Sequence, residues 1–440
     1  MTVIQNDRDQ EKEYFLRMNV LVIGSGGREH ALVWKIAQSR HADRIYCAPG
    51  NAGINKIAEC VPISAADIQS LYDFAVGNDI GLTIVGPEAP LVLGIVDTFR
   101  KGGLRIFGPL SFAAQLEGSK AFSKHIMQKY GIPTAEARVF SDHKKAIDYI
   151  REKGAPVVVK ADGLAAGKGV MVCSKEDEAI SAVNMIMSDR LFGEAGAQVL
   201  IEECLEGEEA SFLVFTDGNT IIPMPPTQDH KRALDGDRGP NTGGMGAYSP
   251  VPGLDREMQD RIMKDVMLPA VNALKAEGCP YEGILYAGIM LTADGPKVLE
   301  FNCRFGDPEA QPILMSLKSD ILDIMNAVID KRLEGIDIEW SDKPSVCVVI
   351  ASGGYPDKYS TGQVIHGLDD FDDMNDVIVF HAGTKIDRGN VVTAGGRVLG
   401  VTAAGEDIND AINKAYDGVK RIHFEGMQFR RDIGRRANKQ

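Results

Sequence analysis

The chain lacks the features that would send it to a membrane, out of the cell or onto nucleic acid. No apolar run approaches the roughly 20 residues that a bilayer span requires. Its seven cysteines are scattered, at Cys47, Cys60, Cys173, Cys204, Cys279, Cys303 and Cys347, and no two form a C-x-x-C pair. An odd, dispersed set predicts reduced thiols and a cytoplasmic location. Positive charge is in deficit: 48 Lys and Arg stand against 62 Asp and Glu, a net charge of −14. That balance argues against a broad nucleic-acid-binding face. It still allows phosphorylated small molecules to bind where backbone N–H groups and a few cations converge. Internal repeats and low-complexity tracts are also missing. The first 17 residues, "MTVIQNDRDQEKEYFLR", are charged and have no signal-peptide apolar core. Residues 1–17 are expected to form a disordered extension or to reflect a mis-assigned start.

What is present points to a multidomain globular protein. At 440 residues, with 44% hydrophobic and 25% charged residues, about three domains are expected. Glycine is abundant, at 47 residues, and clustered, which predicts several close approaches of backbone to ligand. "MNVLVIGSGGREHALVWKIA" reads as a buried strand, a glycine turn and a helix. With "LTIVGPE" and "LRIFGP" it predicts a small parallel α/β domain over 18–119. From residue 120 to about 335 the pattern becomes antiparallel, including a hairpin in Gly283–Asn302 with its turn at Asp294-Gly295. Asp330–Pro344 reads as a linker, and short strands over 345–440 form a last α+β domain.

Four segments carry chemistry. "GSGGREH" follows a strand and opens a helix, so its amides and helix dipole predict an anion site. A dinucleotide fingerprint would need glycine where Glu29 stands, which disfavours a dehydrogenase. "ADGLAAGKGV" is not a phosphate-binding loop of the G-x-x-x-x-G-K-[ST] kind, because Asp162 and Gly169 occupy two defining positions. A glycine loop between two strands can instead close over a triphosphate, with Lys168 on the loop and Lys160 on the strand before it. "DHKRALDGDRGPNTGGMGAYSP" is too polar and glycine-rich for a core and predicts either a disordered or a substrate-binding loop. In "VLEFNCRFGDPEAQP", residues two apart on a strand share a face. Glu300 and Asn302 thus offer two hard oxygen ligands of the kind Mg²⁺ prefers, and Arg304 lies beside them. Cys303 points the other way and reads as a buried core thiol. No Ser-His or Cys-His nucleophile constellation is evident.

Taken together with "APGNAG", "TIVGPEAPL", "QLEGSKAF" and "GGYP", these segments resemble the ATP-grasp superfamily and, within it, the glycinamide ribonucleotide synthetases (phosphoribosylamine–glycine ligases). They run in family order from Met18 to the C-terminus. The resemblance implies a Rossmann-like N-terminal domain, an ATP-grasp core over 120–335 with a mobile lid at about 139–205, and a small C-terminal domain. It implies that ATP, glycine and 5-phosphoribosylamine give ADP, phosphate and glycinamide ribonucleotide through glycyl phosphate, in a cytoplasmic monomer. Glu300 and Asn302 would hold Mg²⁺ or Mn²⁺. Lys120, Lys160, Gly163, Gly167, Lys168, Gly169, Glu202, Glu203, Leu205 and Glu209 would surround ATP. Arg304, Lys160 and Asp307 would serve the chemistry. The phosphoribosylamine and glycine side would be lined by Gly24, Gly26, Gly27, Arg28, Glu29, Asn51, Gly53 and Glu88. Asp229, Lys231, Asn241, Thr242, Gly243, Gly244, Met245 and Gly246 would add contacts. The further metal-binding acid that many ATP-grasp enzymes place about a dozen residues before the Glu-x-Asn pair is not found, since that neighbourhood is Tyr286-Ala287-Gly288. A sister purine ligase or carboxylase and a non-catalytic nucleotide sensor are the rival readings.

Overall fold

The computed structural model describes residues 17–438, apart from 165–168, 190–192, 372–373 and 375. The head segment 1–16, Gly167 and Lys168 therefore lie outside the described residues.

The N-terminal sheet is parallel, in the order β3-β2-β1-β4-β5. Its strands are β1 (Met18–Gly24), β2 (Ala42–Pro49), β3 (Glu59–Cys60), β4 (Ile80–Val85) and β5 (Ile106–Phe107). Alternation along β1 explains its unbroken apolar sequence. Val20 and Val22 enter one core cluster, Leu21 and Ile23 another, because successive side chains leave opposite faces and both faces are covered. β2 and β3 were not foreseen; "DRIYCAP" is too polar at its start to stand out. Strand order reverses between β1 and its two neighbours, so the loops after β1, β2 and β4 converge at the carboxyl edge, where such sheets bind ligands.

A separate antiparallel sheet, in the order β6-β9-β7-β8, consists of β6 (Ala137–Phe140), β7 (Val157–Ala161), β8 (Val170–Cys173) and β9 (Val199–Glu203). It encloses a small core of its own, with Val157, Val159, Val199 and Ile201 packed on Ile150 and Ala182. After β9 the chain crosses to the central sheet, in the order β11-β10-β16-β17, made of β10 (Glu208–Thr216), β11 (Ile221–Pro223), β16 (Gly283–Thr292) and β17 (Gly295–Asn302). The β16–β17 hairpin forms, but Gly295 already pairs with Thr292, so its two-residue turn is 293–294. The expected Asp294-Gly295 turn thus moves back by one position.

The glycine-rich segment after Asp229 departs most from expectation. β12 (Gln228–Asp229) and β15 (Gly246–Ser249) join the sheet of the C-terminal region, which runs β12-β15-β18-β22-β19. There β18 is Ser345–Ser352, β19 Val377–His381 and β22 Arg397–Ala404. Between β12 and β15, β13 (Arg232–Leu234) pairs with β14 (Arg238–Asn241). Met245, Ala247 and Tyr248 are fully buried, so this polar-looking stretch ends in core. Glycine is what lets it in. A Cβ on Gly246 would lie 2.5 Å from the Cys347 carbonyl oxygen. The remaining strands are β20 (Thr384–Asp387) with β21 (Asn390–Thr393), and β23 (Met427–Gln428) on the end of β18. The presumed linker Asp330–Pro344 is packed down: Leu333 is buried and Trp340 bridges to Leu317. Its apolar Leu, Ile and Trp residues outweigh its charges.

Candidate active site

β17 delivers the expected acid and amide. Glu300 pairs across the sheet with Gly288 and Asn302 with Tyr286, so the neighbouring strand contributes no carboxylate beside them. Glu300 is partly exposed, and among the described residues its carboxylate accepts no hydrogen bond. Among the described residues its nearest cation is Lys231, at 3.8 Å. Lys231 also pairs with Glu209 at 2.9 Å. Burial opposes the Glu300 charge, yet Lys231, Lys160, Lys120 and Arg304 hold its carboxyl below the usual range. Burial likewise opposes the charge on Lys231, and Glu209 and Glu300 raise its pKa well above normal in spite of it. A carboxylate with free lone pairs next to the Asn302 amide oxygen suits a divalent cation that bridges nucleotide phosphates. The donor set fits.

Lys160, on β7, donates to the Leu299 carbonyl at 3.1 Å and pairs with Glu202 at 2.8 Å. Lys124 meets the same Glu202 at 3.2 Å. Glu202, near the end of β9, is therefore buried between two ammonium groups. Lys120 donates to the carbonyl of Gly163 at 2.9 Å, tying the start of the glycine loop to the helix Lys120–Lys129. Burial lowers its pKa. Glu203 accepts from the amide of Glu136 at 3.3 Å, and Leu205 lies on the crossing between β9 and β10.

Arg304 is held from three sides. Its guanidinium bonds Glu117, Glu88 at 3.3 Å and the Asn302 amide oxygen at 3.2 Å. Glu117, at the end of the helix Ser111–Gly118, went unrecognised, although it lies in the quoted "QLEGSKAF". Its other oxygen accepts from the Cys303 amide at 2.8 Å and the Cys303 thiol at 3.2 Å. Cys303 is buried as expected, but it is not isolated on an opposite face. Strand alternation ends at Asn302, and the thiol reaches the same carboxylate that grips Arg304. Burial raises the pKa of Glu117, while Arg304 and Arg28 hold Glu88 low despite burial.

The glycine turn after β1 is less open to an anion than its sequence suggests. The Glu29 carboxylate accepts from the Gly26 amide and pairs with Arg28 at 2.6 Å. A Cβ on Gly24 or Gly86 would run into the Glu29 side chain. The glycines here make room for the chain's own carboxylate, which already uses one amide assigned to ligand. Asn51 is similarly engaged: it donates to the Ser25 and His381 carbonyls and accepts from the amides of Gly53 and Ile54. Gly53 lies against the rings of His30 and His381.

Asp307 joins this edge to the C-terminal sheet. It accepts from Gln311 at 2.8 Å and pairs with Arg397 at 3.1 Å; Arg397, on β22, also bonds the Gly243 carbonyl. No sequence signal marked Arg397 beyond the two glycines before it. Thr242 accepts from Gly244 and donates to the Lys231 carbonyl, and the Met245 amide bonds the carbonyl of His230. Asn241 ends β14. The structure thus gathers Lys120, Lys160, Lys231 and Arg304 around Glu300, with Asn302 bonded to Arg304, and with Glu209 and Asp229 each interacting with Lys231.

Comparison with known proteins accords with this arrangement. Three family models match in order: the phosphoribosylglycinamide synthetase N domain over residues 18–117, its ATP-grasp (A) domain over 118–310 and its C domain over 345–436. The chain is 54% identical over 424 residues to a phosphoribosylamine–glycine ligase of Yersinia pestis, covering 96% of this chain and 99% of that one. It is 52% identical over 423 residues to the Pseudomonas aeruginosa protein of the same name, with coverage of 96% and 98%. The crystal structure of the Thermotoga maritima phosphoribosylamine–glycine ligase superposes with a TM-score of 0.82 at 32% identity, over 94% of this chain and 99% of that one. On matches spanning all three domains and nearly its whole length, the chain belongs to the phosphoribosylglycinamide synthetase family.

Proposed function

We infer that the protein is an ADP-forming ligase that joins glycine to 5-phosphoribosylamine. The observation that carries this reading is the cationic cleft around Glu300, where Lys120, Lys160, Lys231 and Arg304 converge on a strand that also bears Asn302. Phosphoryl transfer asks a protein mainly for positioning and charge stabilisation, and this cleft supplies both without a protein nucleophile. Glu300 and Asn302 would hold Mg²⁺ or Mn²⁺, which when bound neutralises charge on the nucleotide phosphates. Lys160, fixed by Glu202, orients the nucleotide between lid and core. Arg304, clamped by Glu88 and Glu117, faces the transferring phosphoryl group as glycine's carboxylate attacks it. The lid excludes water from the acyl phosphate so formed. The β1, β2 and β4 loops receive the phosphoribosylamine, with Arg28 neutralised by Glu29 and ready to re-pair with a phosphate. Dispersed free thiols support a cytoplasmic setting, and the enzyme is read as a monomer. Among the described residues, no helix is long and apolar enough to cross a membrane.

The test uses glycine labelled with ¹⁸O in its carboxylate, together with ATP, the metal and fresh phosphoribosylamine. Label is expected in the released phosphate, with ADP formation dependent on both co-substrates. Unlabelled phosphate would remove the acyl-phosphate route, and ADP release without glycine would remove the substrate assignment.

A further inference from the structure

The ligation step has a proton to place. As the amine nitrogen attacks the carbonyl carbon of glycyl phosphate, the C–N bond forms and the C–O bond to phosphate breaks. Phosphate leaves with the electron pair, and the nitrogen sheds a proton. Most acids in the cleft are already committed. Glu88 and Glu117 hold Arg304, Glu209 holds Lys231, Glu202 holds Lys124 and Lys160, and Asp307 holds Arg397. One oxygen of Glu309 accepts from both Tyr286 at 2.6 Å and Ser211 at 3.1 Å.

Asp229 differs. Its Oδ1 is buried and has no hydrogen-bond partner among the described residues. It lies on β12, against Gly244, whose added Cβ would come within 2.7 Å of that oxygen. Lys231 and Arg397 both act on its carboxylate. On one side Lys231 leads to Glu300 and the nucleotide end. On the other side Arg397 pairs with Asp307, whose carboxylate borders Gly26 and Gly27 at the phosphoribosylamine end. The two halves of the reaction meet between these ends.

We propose that Asp229 is the general base of the ligation step, taking the proton of the attacking amine onto its carboxylate and returning it to solvent after product leaves. The proposal rests on the ligase reading above. Its surroundings suit the role: burial and the nearby Glu309 raise the proton affinity of Asp229 well above that of an ordinary carboxylate, while Lys231, Arg397 and the His230 amide pull the other way. Among the charged groups acting on it, Glu309, Lys231 and Arg397 act most strongly.

Two measurements on the full-length enzyme separate this role from simple binding. The first is ligation kcat across pH. The second is glycine-dependent scrambling of ¹⁸O from the β–γ bridge of ATP, which reports glycyl phosphate formation alone. In Asp229→Asn, ligation is expected to fall about 100-fold or more, while scrambling falls less than about tenfold. The acidic limb of the wild-type ligation profile should vanish in what activity remains. Asp229→Glu, which keeps a carboxylate, should ligate well above the Asn variant. Equal loss of both activities, ligation within about threefold of wild type, a retained acidic limb, or a Glu variant as slow as Asn with scrambling intact would each overturn the assignment. If the unsubstituted enzyme shows no glycine-dependent scrambling, the glycyl phosphate reading fails first and takes this one with it.

Discussion

Arg304 shows how a single side chain acquires a direction. Two carboxylates and one amide oxygen fix its planar guanidinium, a geometry that a point-charge ammonium does not reproduce. Arg304→Lys is therefore expected to lower kcat about 100-fold or more, with a smaller change in KM for ATP. Steady-state kinetics within threefold of wild type would reduce Arg304 to a structural ion pair. Glu300 makes the complementary case. Its carboxylate is partly exposed and, among the described residues, hydrogen-bonded to nothing, so Glu300→Ala removes little that holds the fold. Turnover should disappear while the thermal unfolding midpoint shifts by only a few degrees. Retained kcat would refute the metal role.

At the level of elements, β15 is the sharpest test of how glycine admits a strand to a crowded sheet. Gly246 has a φ of 153° and lies under the Cys347 carbonyl. Gly246→Ala should destabilise by about 2 kcal/mol or more, and because β15 pairs with β12, which ends two residues before Lys231, KM for glycine or phosphoribosylamine should rise with it. An unchanged denaturation midpoint would contradict this. β15 also shows where the sequence stops being legible. Elements with a strong local pattern, such as β1, the β7–β8 pair and the β16–β17 hairpin, can be read from periodicity and turn residues. β15 cannot, because "GMGAYS" has its buried partner β18 about a hundred residues away, and only the tertiary pairing makes it core. The same holds for the site. Glu300 and Asn302 are two apart on one strand, Arg304 follows two residues on, and the three are visible as a pattern. Glu117 and Arg397 act through contacts 187 and 90 residues distant, and no local spacing reveals them. Glu29 stood in plain view, but only packing shows that the glycines around it accommodate its carboxylate.

Across the whole molecule, the N- and C-terminal regions meet through histidines. The His381 amide donates to His30 Nδ1 at 2.7 Å, and His381 Nδ1 lies 3.1 Å from the Thr384 hydroxyl. Burial, reinforced by Lys56, lowers His381 to about 4 from its ordinary 6.5, and His30 is also well below normal, through burial first and then His381. Burial thus favours the neutral form of both rings. Below pH 6.5 the unfolded chain protonates His381 while the folded one does not, so the His381 contribution is complete above 6.5, declines as pH falls and levels off below about 4. For His381 it amounts to about 3 kcal/mol. His381→Gln should flatten the slope of unfolding free energy between pH 6.5 and 4 in denaturant titrations; an unaltered slope would show the acid sensitivity lies elsewhere.

The contact between His30 and His381 spans 351 residues, and β15 waits on β18 in the same way. A ribosome making this chain in order releases the first helix and the glycine-rich segment long before the strands that complete their surroundings exist. The N-terminal sheet can fold early, but the face around Gly53 stays bare until the last sixty residues emerge. Chains cut short near residue 340 would lose more than a domain. They would expose the unfinished inner face of the binding cleft, and quality control would meet them as sticky, protease-sensitive fragments.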